Sequence, residues 1–351
     1  MTLVHLQRRL SVRFGELSPV TISILALLLG VVIAVQCGAV PVAGQDWIAL
    51  PGTQNYGGSG SYVLWTIRLP RALFAILIGA SLGMSGALSQ GLFRNPLSDS
   101  GLLGISAGAA CAVALSLVFF SSSPTTISAE WRNWLVPGVA FFGALSVCFI
   151  LDRIARWITP GSIAGLLLTG VALNALAGAI IGLCTYLAND EQLRSLSFWT
   201  LGSLASANWS LVTTLLILIL VAWRRSQQLA NGMNALALGE AAANHVGIDV
   251  QGLRKHIIFL VAILAGFSVA WCGMIGFVGL LAPHLVRTWV GSDQRQVIPY
   301  SMLAGGLLLL LADTLARTVA IPAEIPVGIF TALLGGPFFL MQLRTMRRQL
   351  G

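Results

Sequence analysis

Arg68 and Arg71 flank a Leu-Pro step just before about twenty residues without a charge, and Asp313 and Arg317 stand four apart inside another apolar run. Four-residue spacing puts Asp313 and Arg317 on one helix face, so an ion pair within the helix is their simplest role. The arginines invite a second use, because a guanidinium grips a carboxylate through two parallel hydrogen bonds. Arg68, Arg71 and Arg317 are therefore candidates for docking acidic residues of a partner, with snorkelling to lipid headgroups as the alternative. Other chemistries lack their residues. No nucleophile–base pair sits at helix spacing, and there is no HExxH and no pair of aspartates within an apolar run. No GxxxxGK[ST] loop is present, so the chain has no nucleotide-hydrolysing site of that kind. Cys37, Cys111, Cys148, Cys184 and Cys272 form no CxxC pair. They read as small core residues, so no metal ligand set is expected.

The elements that must hold these residues follow from composition. Of 351 residues, 56% are hydrophobic and 9% charged, against about 25% charged in soluble domains. Such a chain cannot build a solvated surface. It reads as an all-α, multi-pass membrane protein forming a single transmembrane domain over residues 1–351. Apolar runs and their polar breaks predict ten spans near 20–38, 69–92, 101–120, 136–157, 163–187, 210–223, 254–271, 274–291, 298–319 and 327–343. The first follows Arg8, Arg9 and Arg13 like a signal sequence. No small-x-small cleavage site comes after it, so it is read as a retained helix. The eighth is the weakest, loosened by Gly273, Gly276 and Gly279 and interrupted by Pro283. Small residues four apart, Gly79 and Gly83 and then Gly104 and Gly108, allow close helix approach.

The net charge of +8 fits membrane orientation and not nucleic acid. With the N-terminus inside, fifteen basic residues fall on the cytoplasmic side and five outside (Arg68, Arg71, Arg132, Arg194 and Arg317). That bias places both termini in the cytoplasm. All four histidines (His5, His245, His256, His284) then lie toward the cytoplasm. A proton-coupled carrier usually needs ionisable groups at mid-membrane, and here they are nearly missing, so uphill transport would take its energy from a partner. Outside, residues 39–66 carry Trp47, Tyr56, Tyr62 and Trp65 at interface level. Residues 188–209 predict a short surface helix and a turn, with Trp199 and Trp209 as candidate bilayer anchors.

Two segments stand out as candidate working parts. Residues 235–246 read ALALGEAAANHV, predicting two short helices about a Gly-Glu step. They have little of their own chain to bury against, hence a partner surface. The fifth span is small and polar for its depth, with Thr169, Asn174, Gly178 and Gly182. Close packing or the lining of an aqueous path would both produce that pattern.

With these residues in view, the chain resembles the iron-chelate and cobalamin (FecCD-type) permease family of ABC importers. The matching stretches, in order, are RLPR at 68–71, GASLGMSGALSQGLFRNPLSDSGLLGISAGA at 79–109, the LGE-centred segment at 238–240, GMIGFVGLLAPHLVR at 273–287, DTLAR at 313–317 and EIPVGIFTALLGGPFF at 324–339. The resemblance implies the type II importer fold with ten transmembrane helices per subunit, in a bacterial inner membrane, as a homodimer in contact with membrane lipid. It implies a path at the two-fold axis lined by the fifth helix, including Thr169, Asn174, Gly178 and Gly182. It implies two ATPase subunits that carry the ATP and dock at a coupling segment about 228–250, with Leu238, Gly239, Glu240, Ala241, Ala242 and His245, beside the turn bearing Arg94 and Asp99. A periplasmic binding protein would meet Arg68, Arg71 and Arg317. Where the family has Ala-Asp-Pro after RNPL, this chain has Ser98-Asp99-Ser100, which predicts a looser turn.

For cargo, LRSLSFWTLGSLASANW at 193–209, after TYLANDEQ, is most similar to the haem permeases of Gram-negative bacteria. Haem is thus the expected cargo, with no cofactor bound by this subunit; a ferric siderophore or cobalamin on the same machine is the alternative. No histidine lies where it could ligate iron in mid-path, and Tyr186, Met84 and Met274 read as packing residues. An ATP-independent carrier or channel is the rival from another class, and an intramembrane enzyme has no catalytic constellation to support it.

Overall fold

The computed structural model describes residues 19–51, 58–120, 129–159 and 161–350, with the side chains of 120, 129–133, 339 and 342–350 outside that description. His5, Arg8, Arg9, Arg13, Tyr56 and the side chains of Arg132, Arg344, Arg347 and Arg348 fall outside it as well. Twelve helices succeed one another among the described residues: α1 (Pro19–Gln36), α2 (Ser59–Phe93), α3 (Ile105–Phe120), α4 (Ala129–Ile158), α5 (Ile163–Leu187), α6 (Asp190–Leu201), α7 (Trp209–Ala237), α8 (Glu240–His245), α9 (Val250–Cys272), α10 (Val278–Val290), α11 (Gln294–Thr318) and α12 (Val327–Leu350). Each of the ten predicted runs overlaps a helix. Seven (α1, α2, α4, α5, α7, α9 and α11) are long and apolar enough to cross a bilayer, while Ile105–Phe119 and Val327–Phe338 are apolar but shorter.

α2 is the centre of the bundle. Its regular part, Leu69–Phe93, is long enough to span the hydrocarbon core, and it packs against α1, α7, α9, α10 and α11. Small residues make this possible. A Cβ on Gly79 would strike the Gly305 carbonyl of α11, one on Gly83 the Ser301 carbonyl, and one on Gly86 the Gly279 carbonyl of α10. The second glycine pair works the same way, with Gly108 of α3 against Gly143 and Val147 of α4. Arg94, in the left-handed region at φ 51°, ends α2 by donating its N–H to the Gln90 carbonyl. Outward-facing Leu28, Leu29, Phe142, Ile217 and Val221 give the bundle the apolar exterior that lipid requires.

Several features differ from the sequence expectation, among them the start of α2 at Ser59 against an expected 69. α7 continues to Ala237 instead of stopping at the membrane edge, so the predicted first short helix of residues 235–246 is the end of a long one. α10 begins only at Val278, because residues 273–277 are non-helical, with Phe277 at φ 67°. Pro283 does not interrupt α10; it lies inside the helix, four residues after Gly279, whose carbonyl faces Gly86.

Candidate functional site

At one end of the bundle, the start of α2, the ends of α1 and α11 and the approach to α12 converge on the arginines. Helix ends leave their last carbonyls without intrahelical donors, and two guanidiniums supply them to α1. Arg68 donates to the Val35 carbonyl at 2.8 Å and to Val40 at 2.6 Å. Arg317 donates to Ala34 and, at 3.4 Å, to Cys37. Cationic groups also suit the negative end of the helix dipole there. Arg71 forks onto Asp313, Nε at 3.1 Å from Oδ2 and Nη2 at 2.9 Å from Oδ1, and donates through Nη1 to Glu324 at 2.8 Å. Arg317 Nε lies 3.5 Å from Asp313 Oδ2.

The three arginines predicted to dock a partner do meet, and each is already engaged within this chain. Arg68 and Arg71 are buried, and all three direct donors to groups of this chain. Asp313 does pair with Arg317, yet its closer partner is Arg71. Glu324 completes the cluster with a side chain 52% exposed. The sequence offered only its place in the EIPVG stretch as a signal. With three guanidiniums, of which Arg71 and Arg317 pair with carboxylates and Arg68 with carbonyls, the cluster keeps one excess positive charge.

Along the bundle, α5 is packed on one side and open on the other. Leu168, Val171, Leu176, Leu183 and Tyr186 are exposed, and a Cβ on Gly178 or Gly182 would meet open space. Thr169 donates to the Gly165 carbonyl of its own helix at 2.8 Å. Asn174 donates to the Gly101 carbonyl at 3.1 Å, tying α5 to the turn before α3. Of the four path candidates, Gly178 and Gly182 lie on the open face, while Thr169 and Asn174 are half-buried. Sequence reasoning missed the non-helical 273–277 segment as a feature, although its glycines signalled it. Irregular backbone at this depth is tolerated only where protein or a cavity surrounds it. Here Gly202, Gly328 and Gly335 make room for Gly273, Met274 and Phe277.

At the opposite end, Gly239 (φ 115°) breaks the chain between α7 and α8, a conformation that favours glycine. Ala243 is fully buried, whereas Leu238 and Val246 project outward, 81% and 69% exposed. Ala241 and His245 are exposed, the His245 Nδ1 lying 2.7 Å from the Ala241 carbonyl, and Ala242 is half-buried. Glu240 pairs with Arg254 in the first turns of α9, a partner the sequence did not single out. Nearby, Asn234 of α7 donates to Asp293 at 2.7 Å, fixing α7 to the start of α11. The Asp293 carboxyl, held by Arg295 and Asn234, lies well below the usual carboxylate range.

The Arg94–Gly104 turn belongs to this end. Arg94 is exposed. Asp99 is half-buried and turned onto its own segment: it accepts the Ser100 N–H at 2.6 Å and caps the turn Ser100–Leu103. A Cβ on Gly279 would come within 2.8 Å of its Oδ1. The predicted loosening at Ser98-Asp99-Ser100 is therefore offset by this cap. Among the described residues, no group of three or more His, Cys, Asp or Glu could hold a metal ion.

Comparison with known proteins supplies the context for this geometry. The sequence model of the FecCD transport family matches residues 26–345. The hemin transport system permease protein HmuU of Yersinia pestis is 45% identical over 287 residues, covering 82% of this chain and 84% of that one. The vitamin B12 import system permease protein BtuC of Klebsiella pneumoniae is 37% identical over 350 residues, 99% and 98% of the two chains. The corresponding Vibrio cholerae protein is 38% identical over 320 residues, 90% of this chain and 92% of its own. A solved inward-facing structure of a metal-chelate type ABC transporter superposes with a TM-score of 0.79 at 30% identity, covering 92% of this chain and 97% of the other.

Proposed function

Because the chain belongs to the FecCD transport family, we propose that this multi-pass ABC-importer permease carries haem across the bacterial inner membrane, driven by ATP on separate subunits. The carrying observation is the 45% identity to a hemin permease over most of both chains. In this reading two copies face each other across the open side of α5, and the cargo passes between them beside Gly178 and Gly182. A path without strong iron ligands suits a translocator, since tight binding would trap the cargo.

The partners follow the two ends of the bundle. The exposed Leu238 and Val246 beside Gly239 give an ATPase subunit an apolar hold on α8. At the other end, the excess positive charge of the arginine cluster attracts an acidic binding protein. The half-exposed Glu324 is the member that an incoming carboxylate can displace from Arg71. Vitamin B12 is the second reading, favoured by alignment over 99% of this chain. The test is uptake by the complex reconstituted in vesicles with its ATPase and binding protein. ATP-dependent haem uptake with no vitamin B12 uptake is expected; the reverse preference overturns the cargo assignment, and uptake without ATP overturns the importer assignment.

A further inference from the structure

The end of the bundle that carries α8 also holds a cavity with no role in the reading above. It has a volume of about 230 Å³ and opens where α4 ends, α5 begins, α9 begins and α2 finishes. Its polar wall holds Arg156, Arg254, Lys255 and Ser162, and its apolar wall includes Leu166 and Ile258. Asp152 also lines it, paired with Arg156, so the lining keeps an excess of positive charge. Arg254 donates to the Gly161 carbonyl at 2.7 Å and pairs with Glu240, yet its Nε is buried with no hydrogen-bond partner among the described residues. Ser162 caps α5, accepting the Gly165 N–H at 3.0 Å, so the positive end of that helix dipole also faces this space.

Two further features bear on what it could hold. Arg153, Ile154, Arg156 and Trp157 line an adjoining groove on the outside of α4. Trp157 and Ile158 are strongly exposed at the end of a membrane-length helix, the position where tryptophan marks the headgroup level. A basic cavity with apolar walls, opening at headgroup depth between helix ends, matches a phosphate that carries acyl chains better than a free ion.

We propose that this cavity binds the headgroup phosphate of an anionic phospholipid, with Arg156, Arg254 and Lys255 around the phosphate and the acyl chains leaving along Leu166, Ile258 and the Trp157 groove. The phosphate then shares Arg254 with Glu240, so lipid occupancy bears directly on how α8 is held. Lipid binding itself does not depend on the transport reading, and its test reads binding alone.

The test uses the full chain purified in a neutral detergent, with lipid retention followed by native mass spectrometry and protection by thermal unfolding. Phosphatidylglycerol should be retained and should raise the melting temperature, while phosphatidylcholine does neither. The double variant Arg156→Gln/Lys255→Gln, which leaves the Glu240–Arg254 pair in place, should bind phosphatidylglycerol about tenfold or more weakly, given that each basic residue near an anionic headgroup contributes a severalfold factor. Lys255→Gln alone, at an exposed position, provides a folded control with a smaller loss. Equal retention of the two lipids, or unchanged retention in both variants, overturns the proposal. Protection by inorganic phosphate alone as strong as by the lipid overturns the lipid source in favour of a free anion.

Discussion

Asp313 is buried between two guanidiniums, of which Arg71 is the closer partner. Arg71 gives it a forked pair at 2.9–3.2 Å, whereas Arg317 stands 3.5 Å away and bonds chiefly to α1 carbonyls. Breaking one half of a buried pair leaves an unpaired charge, at about 3–5 kcal/mol. Arg71→Met should therefore lower stability by an amount of that order, and Asp313→Leu by a similar amount. The double variant Arg71→Met/Asp313→Leu should be less destabilised than the sum of the two, as chemical or thermal unfolding in detergent can show. Additive losses would mean that the pair is not coupled. A second residue-scale prediction concerns Asp293, whose carboxyl is depressed by Arg295 and Asn234. A depressed carboxyl contributes stability that is present above its unfolded value and lost as pH falls through its folded one. The melting temperature should thus fall as pH drops below about 4, and Asp293→Asn should flatten that part of the profile. An unchanged profile in the variant would assign the acid sensitivity elsewhere.

At the scale of elements, the glycines of α2 and α5 look alike in sequence and behave oppositely in space. Gly83 meets the Ser301 carbonyl of α11, while Gly178 and Gly182 face open space. A methyl group forced against backbone cannot be relieved by a rotamer change, and overpacking of this kind costs about 1–3 kcal/mol. Gly83→Ala should therefore reduce the melting temperature clearly, and Gly178→Ala should leave it nearly unchanged, by the same thermal assay on both. The turn after α7 gives a further element-scale expectation. Glu240→Arg places two cations where an ion pair stood, so α8 should loosen from α9, seen as faster amide hydrogen exchange over residues 238–248 with the transmembrane helices unaffected. Equal exchange in both proteins would remove the pair from the mechanism of holding α8.

For the whole molecule, the open face of α5, where Gly178 and Gly182 have open space beside them, is the surface the proposed reading assigns to a partner. A second copy is the proposed cover. Cysteine introduced at Gly178, in a background freed of its five native cysteines, should form a cross-linked dimer in membranes with a short bifunctional reagent. A cysteine at Phe142, exposed on α4, should not. Cross-linking from both positions alike would point to random collision in the membrane and against a defined two-fold face.

Much of this architecture was legible in the residues themselves, because a bilayer leaves few choices. Long uncharged runs must become helices that satisfy their own backbone, so each predicted run overlaps a helix, seven of these helices are long and apolar enough to cross a membrane, and α5 lies at 163–187, as expected. The short surface helix expected within 188–209 is α6, and the structure adds its cap: Asn189 accepts the Gln192 N–H, and Gln192 accepts the Asn189 N–H in return. Family membership rested on short motifs whose order survives in one dimension. What the tertiary structure decided was where charge goes once helices pack. No local pattern told that Arg68 would cap α1 from 33 residues away, or that Arg71 would reach Asp313 across 242 residues. The arginines read as docking candidates without intrachain partners beyond Asp313, because sequence shows the charge and hides what lies beside it. Likewise the break at 273–277 depends on glycines of two other segments, Gly202 after α6 and Gly328 and Gly335 of α12, making room, a condition visible only when those segments are brought together.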